Sequence, residues 1–375
     1  MHIGIDARVL QGERRGHWRY LYCLINALLE VDLINDYVLF YNGFNSRPFI
    51  FPKQDNLKQL WCHVPGRILK PLWATYAWPP VDYLLKQKID VFHNPVNYNR
   101  TFFTPIPTNK PMVVTYHGIS APQILFESFG YTVEETRSWL TRVQQSADVI
   151  ILISNLVKQN LLEYIKVPEE KLRVVYSGVE DSFKPVEDKE SLNNVLAKYG
   201  LDKKRYFFYL GGMEKNKNLE RLLQAFSTFA ENRDVYLVLA GQISIARKEE
   251  LRKICDKQVL FPGSIAAGDL CALYSAACAF VLPTIFEGFG LPVLEAMACG
   301  VPVVCSRIIG VMERVGEAAI QFNPEDTAEL SQCLKSILDD SELCARLKKA
   351  GLEKVKQMSW DKTARDTINV YEEFK

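Results

Sequence analysis

The chain has 375 residues, with 45 Lys and Arg against 44 Asp and Glu and a formal net charge of +1. This length exceeds one ordinary core and suits two domains, and the balanced charge excludes the strong positive field that general nucleic-acid binding requires. Hydrophobic residues at 48% and charged residues at 24% exclude disorder and fibrous repeats.

The charge is unevenly spread, since residues 1 to 110 hold 13 Lys and Arg against 8 Asp and Glu. That excess either faces an anionic acceptor or membrane, or is a solvated surface with a small bias. Nine cysteines, an odd number without a Cys-x-x-Cys pair, point to reduced thiols and a cytosolic compartment. The opening Met1-His2-Ile3-Gly4-Ile5-Asp6-Ala7-Arg8 puts charge where a secretion signal needs an apolar stretch.

Along the chain, short apolar runs at residues 3–5, 37–41, 60–63, 91–93, 113–116, 149–152 and 173–175 read as strands. Amphipathic helical stretches fall between them at 20–29, 134–146 and 155–165. The pattern stops at Phe183-Lys184-Pro185, passes a polar stretch, and resumes at Arg205 with strands at 206–210, 236–240, 259–261, 280–282 and 303–305. The longest uncharged run, 270–286, is too short for a bilayer span, contains Pro283, and reads as a helix followed by a buried strand. Such alternation predicts parallel sheets built from βαβ units, in two doubly wound α/β domains at 1–183 and 184–358. Ligands bind at the strand C-termini of such sheets, so a cleft between two facing Rossmann-like domains is expected. No P-loop and no Gly-x-Gly-x-x-Gly follows any of the strands, which removes the usual support for nicotinamide or ATP chemistry.

The most informative stretch runs Phe280-Val-Leu-Pro-Thr-Ile-Phe-Glu287-Gly288-Phe289-Gly290-Leu291-Pro292-Val293-Leu-Glu295-Ala-Met-Ala-Cys-Gly300 and reads as strand, glycine-flanked turn and helix. Pro292 suits the first helical position, so the amides of Gly290, Leu291 and Val293 are expected to point outward at the positive end of a helix. A diphosphate fits there. Carboxylates beside a diphosphate are unfavourable unless they accept from hydroxyls, so Glu295 is assigned to ribose hydroxyls and Glu287 to those of a sugar. The plain alternative is a capping carboxylate plus an exposed helix residue.

Glu287, seven intervening residues and Glu295, within Glu-Gly-Phe-Gly-Leu-Pro-Val-Leu-Glu-Ala-Met-Ala, resemble the signature of glycosyltransferase family 4. The resemblance extends to Gly4-Ile-Asp6-Ala-Arg8, Val-Val-Thr-Tyr-His117, Val-Val-Tyr-Ser-Gly178-Val, Tyr209-Leu-Gly211-Gly212 with Lys217-Asn218-Leu219, Leu-Ala-Gly241 and Ser359-Trp360. It implies a retaining GT-B enzyme with the donor bound by the second domain, Glu287 on the donor sugar and Glu295 on ribose. It also implies a last helix, in residues 359–375, that crosses back to the first domain.

Lys217 follows the glycine-containing end of a strand, where an ammonium can neutralise a departing diphosphate. The family has Arg-Lys-Asn where this chain has Asn216-Lys217-Asn218, so one phosphate-binding charge is missing, and Lys215 is a poor substitute for a guanidinium. Gly212 and the turn residues Gly288, Phe289, Gly290 and Leu291 complete the donor side. His117 ends a strand of the first domain and is expected to hold the sugar near the reacting carbon; His93 is a second, weaker candidate. Trp18 stands where the resemblance predicts the second glycine of a phosphate-facing loop, with Gly16 and Arg19 still in register, and an indole cannot admit a phosphate to the backbone as glycine does.

The expected chemistry is departure of a nucleoside diphosphate from an anomeric carbon and attack by an acceptor hydroxyl. No metal and no resident cofactor is implied, the nucleotide sugar being a co-substrate. The opening also resembles bacterial mannosyltransferases of surface-polysaccharide assembly, which makes GDP-mannose the leading donor and a glycan or lipid-linked oligosaccharide the acceptor. Residues 67–78 mix basic and aromatic side chains and either dock peripherally at the inner face of a membrane or pack in a core. Two rivals stay open: a nucleotide-sugar epimerase of the same architecture, and a catalytically impaired binding or scaffold subunit.

Overall fold

The structure, a computed structural model, describes residues 1–12, 16–43, 49–95, 106–118, 132–231, 233–285, 287 and 290–375. The chain divides into two compact units, Met1–Gly178 with Trp360–Lys375, and Val179–Ser359.

The first unit holds β1 (His2–Asp6), β2 (Asp36–Asn42), β3 (Leu57–Cys62), β4 (Val91–Asn94), β5 (Met112–Tyr116), β6 (Val149–Leu152) and β7 (Leu172–Val174) in the order β3-β2-β1-β4-β5-β6-β7. Every pairing is parallel. β1 is central, with Ile3 beside Tyr37 on one side and Val91 on the other. Strands covered on both faces read as unbroken apolar runs, and Val149–Leu152 is buried at each residue.

The second unit holds β8 (Tyr206–Leu210), β9 (Tyr236–Ala240), β10 (Val259–Gly263), β11 (Ala279–Leu282), β12 (Val303–Ser306) and β13 (Ile320–Phe322) in the order β10-β9-β8-β11-β12-β13, again all parallel. Strand order reverses between β1 and β4 in one sheet and between β8 and β11 in the other. Those switch points are where the loops leaving two neighbouring strands part to opposite faces and leave a crevice.

Three elements differ from the sequence reading. β3 begins at Leu57, three residues early, because Lys58 and Gln59 belong to a partly exposed edge strand. β13 went unread: it is three residues long and only Phe322 in it is buried. The polar stretch after Pro185 contains the helix Lys189–Lys198, capped by Asp188 accepting from the amides of Glu190 and Ser191; Leu192, Val195 and Leu196 sit at helical spacing, but only Leu196 is buried, so the apolar signal is short and weak.

The last helix, Trp360–Glu372, packs within the first unit against the helix Gly16–Val31. Trp360 and Tyr371 are buried there, each contributing about 2 to 3 kcal/mol of apolar burial. Thr363 Oγ1 donates to the Tyr176 carbonyl at 2.8 Å, and the Arg173 guanidinium grips Glu373 with two bonds of 2.8 Å. No helix among the described residues is long and apolar enough to cross a membrane.

Candidate active site

In the second unit the loop leaving β8, from Gly211 to Asn218, meets the segment leaving β11. Gly211 is pressed against Gly241, at φ 140°, where an added Cβ would lie 2.0 Å from the Gly211 carbonyl oxygen. Tyr209 donates its hydroxyl to the Gly212 carbonyl, and Arg247 Nε donates to the Met213 carbonyl at 2.9 Å. Asn216 offers its carbonyl to the Ile285 amide at 2.9 Å and to Thr284 Oγ1 at 3.0 Å. Asn218, in the left-handed region at φ 57°, sends its Nδ2 to the carbonyls of Pro283 at 3.0 Å and Pro324 at 2.8 Å. These bonds sew two distant loops into one rigid floor.

On that floor Lys217 Nζ lies 2.9 Å from Glu287 Oε2, the side chains 20% and 21% exposed. Beside them the helix Leu291–Ala298 starts from Gly290, at φ 73°, a conformation that favours glycine. Pro292 is therefore the second helical residue, not the first. The Val293 amide donates to the Gly290 carbonyl at 3.0 Å, which corrects the expectation that it points outward. Among the described residues nothing accepts from the amides of Gly290 or Leu291, the orphan donors of a helix start.

Glu295 is 1% exposed and accepts the Tyr274 hydroxyl at 3.0 Å on Oε2. It is neither an exposed helix residue nor a cap, and a buried carboxylate persists only where hydrogen bonds compensate its desolvation. Gly288 and Phe289 lie outside the described residues.

In the first unit His117 follows β5. Its Nε2–H donates to the Pro95 carbonyl at 2.9 Å, and its ring stands edge-on to Tyr20 at 4.5 Å and to His17 at 4.9 Å. Burial, with the charge of His17 second, lowers its pKa to about 3. The imidazole is thus neutral near pH 7, with Nδ1 as the acceptor nitrogen. His93 behaves differently from the site candidate read in sequence: it is fully buried, its Nδ1 2.6 Å from the Tyr371 hydroxyl and its Nε2 2.8 Å from Thr115 Oγ1. It is a structural strut between β4, β5 and the last helix.

Gly16 opens the helix Gly16–Val31, is exposed, and would accept a Cβ with nothing within 4 Å. Arg19 is half-buried one turn on. Trp18 is turned inward, 7% exposed, its Nε1 donating to the Leu10 carbonyl at 3.3 Å and its ring stacked 5.0 Å from Tyr22. Residues 18 and 22, one turn apart, share the packed face of the helix, so the indole belongs to the core of the first unit.

Two family models divide the chain: family 4 glycosyltransferases over residues 15–183 and group 1 glycosyl transferases over residues 193–354. O-antigen chain mannosyltransferase B of Escherichia coli is 32% identical over 318 residues, which are 81% of this chain and 78% of that protein. The chain belongs to glycosyltransferase family 4. This glycosyltransferase is also 31% identical over 229 residues to the serotype-specific mannosyltransferase WbdA of Escherichia coli, a match to 59% of the chain but 28% of that longer protein. In fold it matches HepE of Anabaena, solved with UDP and glucose, with a TM-score of 0.76 across 99% of both chains at 16% identity. Both parallel sheets of the glycosyltransferase are thus of the GT-B type.

Four residues that hold the candidate site together were not singled out for such roles in sequence: Tyr209, Asn218, Arg247 and Tyr274. Only Asn218 carried a usable signal, an asparagine directly before a helix, where its tolerance of the left-handed region has a purpose. The other three act through partners distant in sequence.

Proposed function

We propose that this glycosyltransferase moves a hexose, with mannose from GDP-mannose as the leading pair, from a nucleotide-diphosphate sugar to a hydroxyl of a glycan or lipid-linked acceptor, with retention of configuration. The observation that carries this reading is the Lys217–Glu287 pair beside the Gly290 helix start. A diphosphate would take the ammonium of Lys217 and the amides of Gly290 and Leu291, where leaving-group charge develops. Glu287, released from its partner, would accept from a sugar hydroxyl. A ligand must supply both halves of this exchange, an anion for one side chain and a hydroxyl for the other. That is the composition of a sugar diphosphate.

In the same reading Glu295 serves ribose while keeping Tyr274, since a carboxylate accepts several bonds. His117, neutral, accepts from a sugar hydroxyl at Nδ1, and Gly212, Asn216, Gly288, Phe289, Gly16 and Arg19 line the donor. No resident cofactor takes part. The names of the Escherichia coli relatives, both mannosyltransferases, support mannose and surface-polysaccharide assembly. A thermal-shift panel of GDP, UDP, ADP and their sugars tests the donor, followed by the anomeric configuration of the product by NMR. A chain stabilised by none of these nucleotides would refute the assignment.

A peripheral position at the inner face of a membrane belongs to the same proposal. Ile68, Tyr76, Trp78 and Tyr83 are 49%, 72%, 60% and 68% exposed, with Arg67, Lys86 and Lys88 exposed among them, a composition suited to an anionic bilayer surface. Co-sedimentation with anionic vesicles, reduced in Trp78→Ser, is the expected result; equal recovery with and without vesicles would remove this part.

A further inference from the structure

The loop leaving β8 carries one acid without an assigned role, Glu214, at the head of the short helical turn Lys215–Lys217. An acid in that place can accept from the free amides of the turn, yet Glu214 makes no side-chain cap bond. Among the described residues its carboxylate has neither a hydrogen bond nor an ion pair, although exposed Lys215 is its neighbour in sequence.

The side chain folds back over Gly212. A Cβ built on Gly212 would lie 2.8 Å from Glu214 Cδ and 2.9 Å from its Oε1, so the carboxylate fills the space that a side chain at 212 would take. That space belongs to the floor on which Lys217 and Glu287 meet. Tyr209 donates its hydroxyl to the Gly212 carbonyl. Burial, then the charges of Glu287 and Glu214, hold the pKa of that hydroxyl well above the ordinary tyrosine value. Two carboxylates therefore converge on one end of the floor, and the ammonium of Lys217 is already paired to Glu287.

An acid held without a cation beside a diphosphate weakens binding by like-charge repulsion, unless a hydroxyl arrives with the anion. A bare nucleoside diphosphate brings no hydroxyl at its phosphate end, whereas a nucleotide sugar brings several. We infer that Glu214 is a specificity-determining residue of the donor site, its carboxylate accepting from a hydroxyl of the transferred sugar and repelling the nucleoside diphosphate left once that sugar has gone. The inference rests on the donor reading above; the place of the carboxylate over Gly212 does not. One side chain thereby strengthens the hold on the donor and loosens the hold on the product.

Calorimetric titration of the full chain with GDP, UDP and ADP, and with GDP-mannose, UDP-glucose and ADP-glucose, measures what the sugar adds to the affinity of each nucleotide. Glu214 is exposed and makes no cap bond, so Glu214→Ala should keep the wild-type melting temperature. This variant should bind the bare diphosphate at least as tightly as the wild type does. The sugar's contribution should fall about tenfold, the size of one hydrogen bond to a charged group. Deoxy analogues of the sugar identify the hydroxyl: one of them should bind the wild type about tenfold more weakly than the parent donor, and bind Glu214→Ala as well as the parent does. A sugar contribution that survives Glu214→Ala, or the lack of any such analogue, would overturn the inference. Weaker binding of the bare diphosphate by the variant would overturn it too, because Glu214 would then be part of the floor. A wild type that binds none of these nucleotides would sink the donor reading and this inference together, whereas nucleotide binding with an unchanged sugar contribution would sink the inference alone.

Discussion

Lys217 Nζ and Glu287 Oε2 meet at 2.9 Å across 70 residues of sequence. The loops leaving β8 and β11 carry them there, and the bonds from Asn216 and Asn218 hold those loops together. In the proposed function each side chain gives up the other when a donor arrives, so donor binding is an exchange of partners.

Removing either charge should cost turnover far more than stability. For Glu287→Gln and Lys217→Met, kcat is expected to fall about 10² to 10³-fold, while stability changes by under about 1 kcal/mol because the pair is partly solvated. The double charge swap, Lys217→Glu with Glu287→Lys, should restore the melting temperature and not the rate. Recovery of rate in the swap would mean the pair is only structural.

Asn218→Ala removes three side-chain bonds, two from Nδ2 to carbonyls and one that Oδ1 accepts from Arg221 Nη1, and leaves a Cβ residue without local compensation in the left-handed region. A loss of about 4 kcal/mol is expected in urea unfolding, about 1 per bond and the rest strain. Asn218→Gly should recover the strain alone, about a quarter of the loss. If both variants lose the same amount, the conformation at this position costs nothing.

Two glycines should respond in opposite ways. Gly241→Ala drives a Cβ to 2.0 Å from the Gly211 carbonyl oxygen and should destabilise the second unit by more than about 3 kcal/mol or prevent its folding. Gly16→Ala meets open space, so its melting temperature should hold. A raised donor KM in this stable variant would place Gly16 at the donor, and an unchanged KM would remove it from the site.

Acid should unfold the first unit through His93. Its native pKa is lowered to about 3 by burial, against 6.5 unfolded. The unfolded chain therefore binds a proton that the native chain refuses between those values. The stability conferred is complete above pH 6.5 and is lost on acidification, at about 1.4 kcal/mol per pH unit. His117 titrates in the same sense. His93→Gln should flatten the pH dependence of unfolding by one proton; an unaltered slope would show that His93 does not carry it.

Much of the fold was legible because buried parallel strands announce themselves. Residues 149–152, 206–210 and 236–240 form strands over the ranges read in sequence, each being an apolar run covered on both faces. β13 and the helix Lys189–Lys198 were missed because an edge strand and a surface helix bury too few residues to stand out from their polar surroundings. The candidate site divides the same way. Gly290 at the start of its helix was readable from the local string, whereas the burial of Glu295 against Tyr274 and the inward turn of Trp18 were not.

Backbone preference and hydrophobic period act over a few residues, so sequence alone settled the α/β class, most strands and the chemistry each candidate side chain can perform. Which candidates share a site was decided only by tertiary structure, through contacts such as Lys217 with Glu287 and Glu295 with Tyr274. Partner choice depends on distance in space, and sheet order, which sets that distance, is absent from any local stretch of chain.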